Sequence, residues 1–210
     1  MLPLDSLKKK LLAATRSGLS DFALGKSHGP RSVADRVESE VSTIARAAFG
    51  DSYAPPRSAR SPEDFSLRAG SCVVYADVKT HFVQESSGFS MPNLVSIAKL
   101  KTILETQTLS LLYVFVDYRR SNTGAVSIEK VESAFVWELD WRILRIGALG
   151  KGQLQITDAN AGLSFTKSTR HDFLARLRSE AVQFYARQEL KMRSERQRWE
   201  ASPPTTAPRP

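Results

Sequence analysis

The chain has 210 residues, 41% of them hydrophobic, enough for one globular domain with a sizeable core and an additional arm. Lys and Arg number 30 against 22 Asp and Glu, a formal charge of +8, and the pI is near 9.8. This balance points to an anionic partner, nucleic acid first. A single cysteine, Cys72, excludes an intrachain disulfide and a Cys-based zinc site, and no apolar run is long enough to span a membrane.

Along the chain, Leu4, Leu7 and Leu11 recur at helical spacing around Lys8–Lys10, an N-terminal helical arm. Charges interrupt that segment, so it does not read as a signal peptide, and an intracellular, cytoplasmic protein is expected. A Gly-Ser-Pro loop follows. Residues 33–49 read as a helix with Val37, Val41, Ile44 and Ala48 on one face and Gly50 as its stop. "DFSLRAGSCVVYADVKT" reads as two strands around an Ala-Gly turn. "MPNLVSIAKLKTILE" reads as a helix with Pro92 near its start. "LSLLYVFVDY" is a continuous apolar run, as in a strand covered on both faces. Another short strand follows a turn at "NTG", and "GQLQITD" alternates, placing Gln153 and Gln155 on one face. Trp137 and Trp141 are expected in the core or a dimer contact. A long helix should run from about Ser168 to Glu200, its end basic through Arg187, Lys191, Arg193, Arg196 and Arg198. This sets residues 1–200 as one domain and 201–210 as a disordered Pro-rich tail. The order of elements is that of an α/β fold.

The chemistry centres on Asp77-Val78-Lys79. Residues two apart on a strand share a face, so Asp77 and Lys79 can meet at one point. A second match, Glu189-Leu190-Lys191, lies in a predicted helix, where its ends diverge by roughly 200° and form no site. Asp64 begins the preceding strand, across the hairpin from Asp77. Two carboxylates that close resist joint ionisation, and a hard divalent cation such as Mg2+ resolves this. Phosphodiester hydrolysis uses such a cation and a lysine beside the attacking water. A carboxylate on the upstream helix, Glu38 first and Glu40 second, would complete the set. Spacing alone leaves a simpler reading open: Asp64 as a strand cap and Asp77–Lys79 as a surface ion pair.

At these residues the chain resembles a known family. "SPED", twelve residues, then "DVK" looks like the core of the type II restriction endonucleases of the PD-(D/E)xK superfamily. The stretch from "DVKTHF" to "MPNLVSIAKL" is similar to the HincII, EcoRV-like branch, and "VFVDY", "GQLQI" and "STRHDFLARL" follow in the same order. The resemblance covers roughly residues 33–195. It implies a restriction-endonuclease-like core: a mixed central β-sheet flanked by helices in αβββαβ order, with a long C-terminal helix. It implies a Mg2+-dependent homodimer that cuts both strands of double-stranded DNA at a short palindrome, leaving blunt ends with 5'-phosphates, as part of a restriction–modification system in a bacterial or archaeal cell.

By the same resemblance Asp64, Asp77 and the Val78 carbonyl hold the metal, Lys79 sits beside the water, and Glu38 takes the helix position. Thr80, His81, Asn93, Gln153, Gln155, Thr169 and Arg170 fall at DNA-facing positions. His81 stands where the branch has Arg. Ser90 and Phe89 lie in a lengthened loop that in the branch inserts a side chain into the base stack. Two further readings share the core: a catalytically silent DNA-binding module, and a structure-specific resolvase or repair nuclease.

Overall fold

The computed structural model describes residues 4–24, 30–58, 61–83, 93–147, 152–157 and 162–201. Ser90, Phe89 and the tail at 202–210 lie outside them. The N-terminal helix α1 (Leu4–Gly18) and α2 (Pro30–Phe49) flank one short strand, and a second short strand precedes the hairpin β3 (Phe65–Ala69) and β4 (Cys72–Phe82). The small strands are β1 (Ala23–Leu24) and β2 (Tyr53–Ala54). Then follow β5 (Asn93–Ser96), α3 (Ile97–Glu105), β6 (Leu109–Arg120), β7 (Val126–Phe135), β8 (Leu144–Gly147), β9 (Gln153–Ile156) and α4 (Arg170–Ala201).

Six strands form the central sheet in the order β1-β7-β6-β4-β3-β2, and β5-β9-β8 form a second, smaller sheet. The central sheet is mixed: β4 and β6 run parallel, and its other pairs are antiparallel. A parallel pair needs a long crossover, and β5 with α3 supplies it. At the β3–β4 turn Gly70 takes φ 64°, a backbone angle that suits glycine at the first position of a two-residue hairpin turn.

Alternation along β4 and β6 divides the interior in two. Val74, Ala76 and Val78 with Val114 and Val116 face α1 and α2, packing on Leu7, Leu11, Val33, Val37, Val41 and Ala45. Tyr75, Leu111, Tyr113 and Phe115 face the other way, onto α3, the first half of α4 and the small sheet. With both faces covered, residues 110–116 of β6 are all buried, which is why that strand reads as an uninterrupted apolar run.

The stretch expected as one helix from Met91 to Glu105 is different. Asn93–Ser96 pairs antiparallel with β9, and the helix begins only at Ile97, where the Ser96 hydroxyl caps the Lys99 N–H. Pairing with β9 outweighs the helical spacing of Leu94 and Ile97. Trp137 stacks on Phe135 at 4.6 Å and Trp141 lies 5.0 Å from Phe173, so both are held within this chain's own packing. The far half of α4 leaves the body: Leu190, Met192 and Trp199 are 66%, 72% and 79% exposed.

Candidate active site

The hairpin register places the acids. β3 begins at Phe65, opposite Ala76, so Asp64 is the residue just beyond the last ladder pair. Its own N–H still donates to the Ala76 carbonyl at 2.9 Å, and its Oδ2 accepts the Val78 N–H at 2.7 Å. The carboxylate therefore replaces a backbone partner for β4 and is fixed beside Asp77, and its Oδ1 has no hydrogen-bond partner among the described residues.

Asp77 is 4% exposed and lies opposite Tyr113 in the parallel pair. Lys79, two residues on and on the same face, donates from Nζ to Asp77 Oδ1 at 2.5 Å. Despite that ammonium, burial pushes the Asp77 carboxyl up to about 7, with repulsion from Asp64 and Glu38 adding to it. Desolvation also raises Glu38 on α2 to about 7; Asp64 and Asp35 push the same way and Lys79 opposes them. The charges of Asp64 and Lys79 thus act directly on Glu38. Tyr113 is held well above its usual range, first by burial and then by the Asp77 charge.

Asp64, Asp77 and Lys79 open into a cleft of about 300 Å³ whose wall also includes Ser96, Lys99 and Gln153. Neither Lys99, from the first turn of α3, nor Ser96 was singled out from the sequence. They reach the cleft because β5 and α3 fold back over β4, a placement that local patterning does not encode. Glu63 is also buried next to Asp64, and its Oε2 has no hydrogen-bond partner among the described residues.

The other DNA-facing candidates divide. Gln153 borders the acidic cleft. His81 shares the Asp77–Lys79 face and its Nδ1 lies 3.3 Å from Asp117 Oδ1. Thr80 points to the opposite face of β4 by alternation. Gln155 is only 5% exposed, donates from Nε2 to Asn93 Oδ1 at 2.6 Å and accepts from Arg145 Nε at 3.3 Å. Thr169 caps α4: its hydroxyl donates to Asp172 and accepts the Asp172 N–H. Arg170 donates to four carbonyls, those of Ile103, Leu104, Thr106 and Leu109, at 2.5–2.9 Å. Its guanidinium thereby closes the C-terminal end of α3, where orphan carbonyls need donors, and that commits it to the fold rather than to a phosphate.

The same architecture occurs among solved structures. The NlaIV restriction endonuclease superposes on 89% of this chain and 90% of its own with a TM-score of 0.50 at 15% identity. The chain has a restriction-endonuclease-like fold. No protein-family model and no curated protein matches the sequence. The assignment to the HincII branch is not supported by these comparisons, and the likeness to NlaIV at this identity is one of fold.

The cleft fits a magnesium ion by its donor chemistry. Among the described residues no three or more His, Cys, Asp or Glu side chains form a ready-made metal cage. Magnesium does not require one: it is commonly held by one or two carboxylates, with waters and substrate phosphate completing the octahedron. Asp64 and Asp77 provide two hard oxygen donors side by side, and their mutual repulsion is the electrostatic demand that a dication would satisfy.

Proposed function

We infer that this protein is a type II restriction endonuclease that hydrolyses both strands of double-stranded DNA with Mg2+. The observation that carries this reading is the convergence of Asp64, Asp77 and Lys79 at one cleft of a restriction-endonuclease-like fold. A structural ion pair would need neither a second carboxylate nor burial of Asp77 against its own ionisation.

Asp64, Asp77 and the Val78 main-chain carbonyl would hold the ion. When bound, Mg2+ supplies Lewis acidity toward the scissile phosphate and lowers the pKa of a bound water. Lys79 places a positive charge beside the attacking water and the developing phosphorane charge. Glu38, whose carboxyl its surroundings raise to about 7, is poised to take or give a proton near neutral pH at the edge of the cluster. The excess of positive charge draws the polyanion to the cleft and makes binding salt-dependent. Action on both strands of a palindrome requires a second cleft, which a homodimer provides; blunt ends with 5'-phosphates, a partner methylase and residence in the cytoplasm complete the reading. No helix among the described residues is long and apolar enough to cross a membrane.

Incubation of supercoiled plasmid with the protein, in Mg2+ or in chelator, tests the chemistry. Cutting in Mg2+ alone, abolished by Asp77→Ala with the fold intact, is expected. Full activity in Asp77→Ala removes the site assignment.

A further inference from the structure

The small sheet turns one face to the core and the other outward, and the outward face is continuous with the acidic cleft. Leu144, Leu154 and Ile156 belong to the buried cluster, so alternation sends Arg145, Gln153 and Gln155 to the other side. Two cross-strand rows result. One is Gly147–Gln153–Ser96, whose Gln153 and Ser96 line the cleft. The next is Arg145–Gln155–Asn93.

This second row is a directed chain of hydrogen bonds. Gln155 commits its amide N–H to Asn93 Oδ1 and its Oε1 to Arg145 Nε. A buried amide with both ends engaged cannot itself read a base bidentately. It can hold a guanidinium by one edge. Arg145 is exposed, and among the described residues no carboxylate pairs with it. With Nε held, no hydrogen bond among the described residues engages Nη1 or Nη2, which leaves both as donors. Gly147 makes the arrangement possible: a Cβ there would lie 1.9 Å from Gln155 Oε1.

We propose that Arg145 is a base-reading residue that recognises guanine through O6 and N7 in the major groove, with Gln155 and Gly147 as its positioning residues. An arginine fork matches the two guanine acceptors, which neither adenine nor a pyrimidine presents together. A phosphate contact would need only charge, not a guanidinium whose orientation is fixed through two amides. The Arg145 row is the neighbour, on the same face of the small sheet, of the Gln153–Ser96 row that borders the cleft. The inference rests on the endonuclease reading for the direction of the DNA, and on the sheet for the residue.

The experiment is selection of bound duplexes from a random pool, with Ca2+ in place of Mg2+ so that retention rather than cutting is read. Wild type should enrich sequences with an obligatory guanine in each half-site. In Arg145→Ala that preference should fall by about 5- to 150-fold, the worth of one bidentate base contact. Gly147→Ala should weaken the same position: the added methyl displaces only the flexible end of Gln155, so folding is retained while the fork loses its anchor. Wild type enriching no guanine, or Arg145→Ala keeping the wild-type preference, overturns the proposal. Guanine-selective binding with no cutting in Mg2+ would instead overturn the endonuclease reading and leave Arg145 in place.

Discussion

Asp77 should destabilise the metal-free protein above about pH 7. Its carboxyl is raised from 3.8 to about 7, chiefly by burial. A folded state that holds the proton more tightly than the unfolded chain is favoured at low pH. The contribution is therefore complete below about pH 4, is lost as pH rises through about 7, and is absent above that. The distance from 3.8 to about 7 corresponds to about 4 kcal/mol at 1.36 kcal/mol per pH unit. Water entry into the open cleft reduces this to about 2–4 kcal/mol. Asp77→Asn keeps the shape and removes the charge, so in chelator at pH 8 it should unfold about 4–15 °C above wild type. The gap should close toward pH 4. Adding Mg2+ should raise the wild-type midpoint and leave the variant unmoved, because ligand binding stabilises only the state that binds. Thermal unfolding followed by circular dichroism at pH 4, 6 and 8 measures all of this. An Asp77→Asn midpoint at or below wild type in chelator at pH 8 would refute the electrostatic account of the cleft.

Lys79→Ala should slow cutting by about 100- to 1000-fold while DNA retention in a filter assay persists; wild-type turnover would exclude Lys79 from the reaction. The same substitution removes the Lys79 ammonium that lowers Asp77, so Asp77 should titrate at still higher pH, visible by carboxyl NMR in the metal-free protein. Arg170→Ala should lower stability in urea by about 2–4 kcal/mol, because four carbonyls lose a charged donor. An unchanged urea midpoint would mean that water replaces those bonds at no cost.

Several elements were plain in the sequence because one period dominated them. The valines of α2 and the apolar run of β6 each reflect a single packing environment. The Asp64–Asp77–Lys79 set was legible for a related reason: a two-residue hairpin fixes the register, and register fixes which side chains meet. What escaped notice depends on partners distant in sequence. β8 is four residues that become a strand by pairing with β9, and β5 is a strand only because β9 lies beside it. Arg170 was expected at a DNA-facing position by resemblance; its carbonyl partners lie 61–67 residues earlier in the chain. Gln155 looked free to meet DNA, and only the cross-strand neighbours Asn93 and Arg145 reveal that both ends of its amide are occupied. Arg145 drew no attention because its strand was not foreseen.

The central claim is site-specific hydrolysis of both DNA strands by the Asp64–Asp77–Lys79 cleft. Digestion of a plasmid of known sequence in Mg2+, followed by sequencing of every fragment end, tests it most directly. The account predicts discrete fragments whose ends all fall at the same position within one short palindrome, with 5'-phosphates and none formed in chelator. Ends scattered without a common sequence, or a plasmid left intact, would contradict it.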